Sequence, residues 1–156
     1  MLSFSLASAT LFTYGISMNA AQMEMDTKLR NVATELYRTI ENDPMIGFMF
    51  VGLDLKRLAF REYQLMAQVC ALPVRYEGQS LRSAHMRHRI RSGQFRRRLE
   101  LLKQALEKFE VPRAEFEKIV AHNEGLAAVI MRTQNEDKAC GHSEDDSTKK
   151  GPRWYT

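Results

Sequence analysis

Proline placement constrains this chain more than any other feature. Four prolines occur in 156 residues. Three of them, Pro44, Pro73 and Pro112, fall between stretches whose apolar residues recur with helical period. A proline inside a helix removes a hydrogen bond and clashes with the preceding turn, so it marks a boundary. The three prolines therefore separate helices rather than break one. With only eight glycines and no convincing strand or internal repeat, the pattern implies an all-α chain.

The first run, DTKLRNVATELYRTIEND, puts Leu29, Val32, Ala33, Leu36 and Ile40 on one face, with Asp26 or Thr27 as its expected N-cap. Asp43-Pro44 ends it and starts a short turn, PMIGFMF. Asp54 is placed to cap LKRLAFREYQLMAQVCAL, whose stripe is Leu55, Leu58, Leu65, Met66, Val69 and Leu72. Beyond Pro73 and a loop around Tyr76-Glu77-Gly78, a helix is expected from Ser80 to Arg89. The next, from Gln94 to Glu110, carries Phe95, Leu99, Leu102, Leu106 and Phe109. The last, from Arg113 to Thr133, carries Phe116, Ile119, Val120, Leu126, Ile130 and Met131.

Length and composition, 44% apolar and 27% charged, fit one ordinary globular domain. Residues 1–22 contain no charged residue. They lack the basic start of a secretory signal, and serines and threonines dilute them below a stable membrane span. They are read as an arm packed on the fold, with a targeting segment as the alternative. Residues 23–134 form the domain, and residues 135–156 form a polar tail expected to be disordered. Cys70 and Cys140 belong to no CxxC motif, which suggests a reducing, cytoplasmic setting.

Several residues stand out from this plain helical pattern. Glu62 interrupts the stripe 58, 62, 65, 69, where a carboxylate is costly unless it is paired or protonated. Either it reaches solvent or a nearby Arg, or it faces a pocket. Tyr37 lies beside the first stripe, as a core tyrosine or a pocket donor. His85 and His88 sit three apart and could share a metal, but a zinc site needs two more ligands, and the spacing of His122 and His142 suggests none. Arg82, Arg87, Arg89, Arg91, Arg96, Arg97, Arg98 and Lys103 crowd one region. Without interleaved aromatics, and with acids on both sides, they read as a solvated face rather than a nucleic-acid surface.

From Val32 to Met131 the chain resembles the truncated haemoglobins, the two-over-two globins. ELYRTIENDPMIGFMFVGLDLKRL is similar to the family's second helix, short turn and distal-helix start, with Leu36-Tyr37 in place of its aromatic-Tyr pair and Phe50 as the haem-packing Phe. YEGQSLRSAHMRHRIRSGQF is similar to its loop and proximal helix. Tyr76, Gly78, His85, Ile90 and Phe95 meet the family spacing without a gap. Glu110-Val111-Pro112 stands where Gly-Val-Pro is common.

The resemblance implies haem b held between the distal and proximal helices, with its iron on His85 and His88 at the surface. It implies Tyr37 as donor to bound dioxygen, with Glu62 beside it at a position usually Gln or Leu. Leu58 stands at the site where other globins place a distal His. Arg61 would reach a propionate, and Leu65, Phe50 and Phe48 would form apolar walls. Three departures are visible: Glu62, which a neutral carboxyl would suit; a missing double glycine, with LFTYGISMNAA the nearest match; and Arg98, apolar in many members and Trp in one group. The lack of Trp there points to the first group.

The implied function is reversible binding of dioxygen or nitric oxide. Nitric oxide oxidation would need an external reductase, because no flavin or nicotinamide site is evident. The competing reading is a haem-less helical module that holds an acidic partner through its arginines.

Overall fold

The protein is described by a computed structural model over residues 18–131. The arm before residue 18 and the tail after 134, with Cys140 and His142, lie outside the described residues. Helix α1 spans Ala20–Glu41, α2 Leu55–Val69, α3 Leu81–His85, α4 Ser92–Lys108 and α5 Arg113–Met131, with a 3₁₀ turn at Gly47–Phe50. Among the described residues there is no strand, so the all-α expectation holds. None of these helices is long and apolar enough to cross a membrane.

Helix α1 starts earlier than expected. Its cap is Asn19, whose side chain accepts from the Gln22 amide at 2.9 Å while the Gln22 side chain accepts from the Asn19 amide at 3.0 Å. Asp26 does not cap anything. It is buried within the helix, where Arg30 donates to it at 2.7 Å and the Tyr63 hydroxyl also donates to it. Asp54 does cap α2, accepting from the Arg57 amide at 3.0 Å. After α1 the Asp43 carboxylate holds the turn, accepting from the Met45 and Ile46 amides and from Arg97. Burial alone would raise this carboxyl, but Arg97 and the two amides together bring it below its ordinary value.

Helices α2 and α4 end in the same way. Leu72 donates to the Ala67 carbonyl and Val111 to the Leu106 carbonyl, each closing the last turn. Both turns need a left-handed residue, and Ala71 (φ 55°) and Glu110 (φ 49°) fill the position. Pro73 and Pro112 follow two residues later and prevent continuation.

Helix α1 packs against α2 and α4, α4 packs against α5, and α2 and α3 touch α5. Two helix pairs thus face each other across a core of Leu29, Val32, Leu36, Ile40, Leu102 and Leu106. The expected stripe of α1 lies in this core with Leu99, Leu102 and Leu106 of α4, Phe109 is half-buried against it, and Phe95 is buried outside it. The α2 stripe divides. Glu62, Tyr63, Gln64, Met66 and Ala67 are buried, while Leu58, Leu65 and Val69 are only half-buried. Helix α3 is a single short element rather than a helix to Arg89, and none of its residues is buried. Ser80 caps it, accepting from the Ser83 amide at 3.2 Å.

Candidate functional site

The half-buried face of α2 lines a cavity of about 500 Å³. The other walls come from the 3₁₀ turn, the loop through Tyr76 to Gln79, α3, and the facing sides of α4 and α5. Ten of the residues singled out for a site from sequence lie on this one wall system: Tyr37, Phe50, Leu58, Arg61, Glu62, Leu65, Tyr76, His85, Ile90 and Phe95. Phe48 does not join them. It is 65% exposed and points away, because the 3₁₀ turn presents Met49 and Phe50 inward instead.

His85 ends α3 and is half-buried on the cavity wall. Its Nδ1 lies 2.7 Å from the Leu81 carbonyl, one helical turn back. A carbonyl only accepts, so Nδ1 carries the proton, and in the neutral ring Nε2 keeps its lone pair. Burial lowers the His85 pKa below its ordinary value, with nearby Arg98 and His88 adding to this and Leu81 and Glu62 opposing it. The imidazole is therefore neutral and oriented, as a metal ligand must be. His88 is exposed at the rim, as expected. Among the described residues no group of three or more His, Cys, Asp or Glu could hold a metal ion by itself.

The loop that precedes α3 is shaped around Tyr76. Its hydroxyl donates to the Gln79 carbonyl at 2.9 Å, and its ring folds over Gly78. A Cβ on Gly78 would sit 2.0 Å from the Tyr76 hydroxyl oxygen, so any larger residue there would displace the tyrosine ring. Arg61, on α2, reaches this loop at the cavity edge. It donates to Gln64 at 2.9 Å and lies 3.5 Å from Glu77.

The polar cluster lies deeper. Tyr37 is 8% exposed and meets Phe50 edge to face, with centroids 5.9 Å apart. Burial, reinforced by the charge of Glu62, pushes its phenol up to about 12, with Arg98 acting the other way. The hydroxyl thus keeps its proton and can donate it. Glu62 is buried and accepts from Arg98 Nη2 at 2.5 Å. Of the alternatives open in the sequence, the structure shows both pairing with an arginine and a place on the cavity wall. Arg98 Nη1 also donates to Asn123 Oδ1 at 3.0 Å, and the Asn123 amide donates to the Ile119 carbonyl at 3.0 Å. Two residues that depart from the family pattern, Glu62 and Arg98, are therefore each other's partners.

This corrects the reading of the arginine run as a solvated face at two positions only; Arg82, Arg87, Arg89, Arg91 and Arg96 are exposed. Arg97 turns to Asp43 and Arg98 to Glu62, both inward. Sequence reasoning also missed Asn123, which sits on the buried side of α5 with Phe116, Ile119 and Ile130. A polar residue inside an apolar stripe was the available signal, the same one that marked Glu62.

A sequence profile described as bacterial-like globin matches residues 22–132. No curated protein matches the chain. Among solved structures, a mutant of the truncated hemoglobin from Tetrahymena pyriformis, in its Fe(III) form, is similar with a TM-score of 0.61. The two are 14% identical, over 66% of this chain and 88% of that one. A likeness at that identity speaks for the fold, which is that of a truncated hemoglobin.

Proposed function

Because the chain belongs to the bacterial-like globin family, we propose that it carries haem b on His85 and reversibly binds dioxygen and other diatomic ligands. The observation that supports this best is the neutral imidazole held by Leu81 on the wall of a cavity framed by apolar side chains. The residues present fit the group. A flat apolar macrocycle needs such walls, and Phe50, Leu58, Leu65, Ile90 and Phe95 would supply them. When bound, the iron supplies an open coordination position for a small ligand.

The chain's own residues then divide the work. His85 holds its ring in one tautomer through Leu81. Arg61, at the cavity edge, would exchange its Gln64 and Glu77 contacts for a propionate, a charge-assisted bond. Tyr37 keeps a proton in a nearly closed environment and would donate it to a bound ligand. Such a donor slows release, which suits chemistry or sensing more than delivery. Oxidation of nitric oxide belongs to this reading only with an external reductase. The non-Trp residue at position 98 favours the first group of truncated globins.

The test is an absorption spectrum of the full-length protein in ferric and ferrous forms. The reading expects a Soret band and a carbon monoxide shift on the ferrous form, with faster dioxygen release in Tyr37→Phe. Clean protein that refuses added hemin would instead support the haem-less interaction module.

A further inference from the structure

We propose that the exposed arginines around His85 form the docking surface for an acidic one-electron carrier protein, which reduces the iron from that side. The inference rests on the haem reading above and names the chemistry and the landing place of its electron donor.

Charge is not spread evenly over this chain. Between Gly78 and Leu99 there are seven arginines, no lysine and no acidic residue. The whole chain carries +4, so everything outside that segment sums to −3. Arg97 and Arg98 turn inward to Asp43 and Glu62, and the other five are exposed. Among the described residues, Arg87, Arg89, Arg91 and Arg96 form no ion pair. Glu77 and Glu100, the acids at either end of the segment, lie against Arg61 and Lys103 instead.

These free cations alternate along the chain with residues of the cavity wall. Arg87 and Arg89 flank His88, Arg89 and Arg91 flank Ile90, and Arg96 follows Phe95. They are thus the outer side of the wall that carries His85. Helix α3 contributes no buried residue, and His85 is itself half-buried. No sealed layer in α3 stands between a protein seated here and His85. Electron transfer weakens steeply with distance, so this thin cover favours entry of an electron at this face.

Protein interfaces are enriched in arginine and methionine and depleted in lysine, and this face has that bias. Met86, between His85 and Arg87, is 58% exposed and offers an apolar anchor among the cations. A guanidinium fork takes a carboxylate by two parallel bonds, which an ammonium cannot do. The matching partner is therefore a protein with clustered carboxylates. Nucleic acid is the poorer match. Phe95 is buried, so no aromatic among these arginines is free for a base to stack on, and the negative remainder of the chain repels a long polyanion. The step balances on one electron. The reduced carrier loses it, ferric iron takes it up to become ferrous, and no covalent bond forms or breaks.

The probe is a plant-type [2Fe–2S] ferredoxin, an acidic one-electron donor of low potential. Binding of oxidised ferredoxin to the full-length protein is measured by titration calorimetry. Reduction of the hemin-loaded ferric form by reduced ferredoxin is followed by stopped-flow absorption. Wild type is compared with Arg87→Gln/Arg89→Gln/Arg91→Gln and with Lys56→Gln/Arg113→Gln/Lys118→Gln, which loses the same charge outside the segment. At low salt the arginine variant should bind ferredoxin about tenfold more weakly and take its electron about tenfold more slowly. The second variant should change less than about threefold, and added salt should bring wild type toward the arginine variant. Reduction by photoreduced deazariboflavin, an uncharged donor, should be alike in all three. Equal losses in the two variants would overturn the proposal, because net charge and not this face would be responsible. Ferredoxin binding that ignores the arginines would also overturn it, as would tighter binding of a duplex oligonucleotide at the same salt. Failure to take up hemin would overturn the function proposed above and the electron step with it, while arginine-dependent binding of ferredoxin to the unloaded chain would still uphold the surface.

Discussion

Tyr63 and Ala67, on one side of α2, are sealed in the core with α1, whereas Leu58, Glu62, Leu65 and Val69, on another, line the cavity. One helix therefore serves two regions of opposite character. In the core region, Leu29, Val32, Leu36, Ile40, Leu102 and Leu106 are fully buried. In the cavity region, apolar walls are half-buried, α3 contributes no buried residue, and the sealed groups include Glu62 and Asn123. Stability and chemistry are thus carried by different faces. Buried acids occur on both sides, Asp26 with Arg30 and Tyr63 and Glu62 with Arg98, but only Glu62 faces the cavity.

The largest effect should come from the core. Leu102→Ala deletes a fully buried side chain in α4. It should lower unfolding free energy by about 3–5 kcal/mol in urea titrations, through lost transfer energy and a new cavity. Leu65→Ala on the cavity wall should cost much less stability yet weaken hemin binding. Equal costs at the two positions would break the comparison.

The polar clamp ranks next. Arg98→Met leaves Glu62 without its partner, and a fully buried pair broken in this way typically costs about 3–5 kcal/mol. The Arg98 side chain is 23% exposed, so about 2 kcal/mol is expected. Adding Glu62→Gln should recover most of that loss. A double variant as unstable as the sum of the singles would show that the two residues do not act as a pair.

The smallest effect is a gain. Glu110 holds a left-handed conformation that glycine adopts without strain. Glu110→Gly should stabilise the protein by about 0.5–1 kcal/mol, read as a higher thermal midpoint. Because Glu110 lies at the end of α4 outside the cavity, hemin affinity should not move.

What the sequence discloses follows the range of the forces involved. Asp54 was legible as a cap, and Pro73 and Pro112 as boundaries, because each acts on residues within one turn. The α1 and α4 stripes were legible because burial imposes the helical period on them. Asn19 was missed because it stands in an uncharged segment with no periodic run ahead of it. Asp26 was misread as a cap because its reason for being there, the Tyr63 hydroxyl, is 37 positions away. The α2 stripe was legible by its period, but that most of it faces a cavity came only from the family resemblance, since half-burial and burial leave the same pattern. The ten site residues came from family spacing, and they share one cavity. Glu62 and Arg98 were each visible as an anomaly. Their pairing was not, because they stand 36 positions apart and nothing between them carries a trace of it.

The central claim is that His85 is the residue that grips iron, and His85→Gly tests it most directly. The glycine variant should lose the wild-type ferric and ferrous spectra with hemin, and added imidazole should restore them by filling the space left by the ring. A His85→Gly protein whose hemin spectrum matches wild type without imidazole would contradict the account.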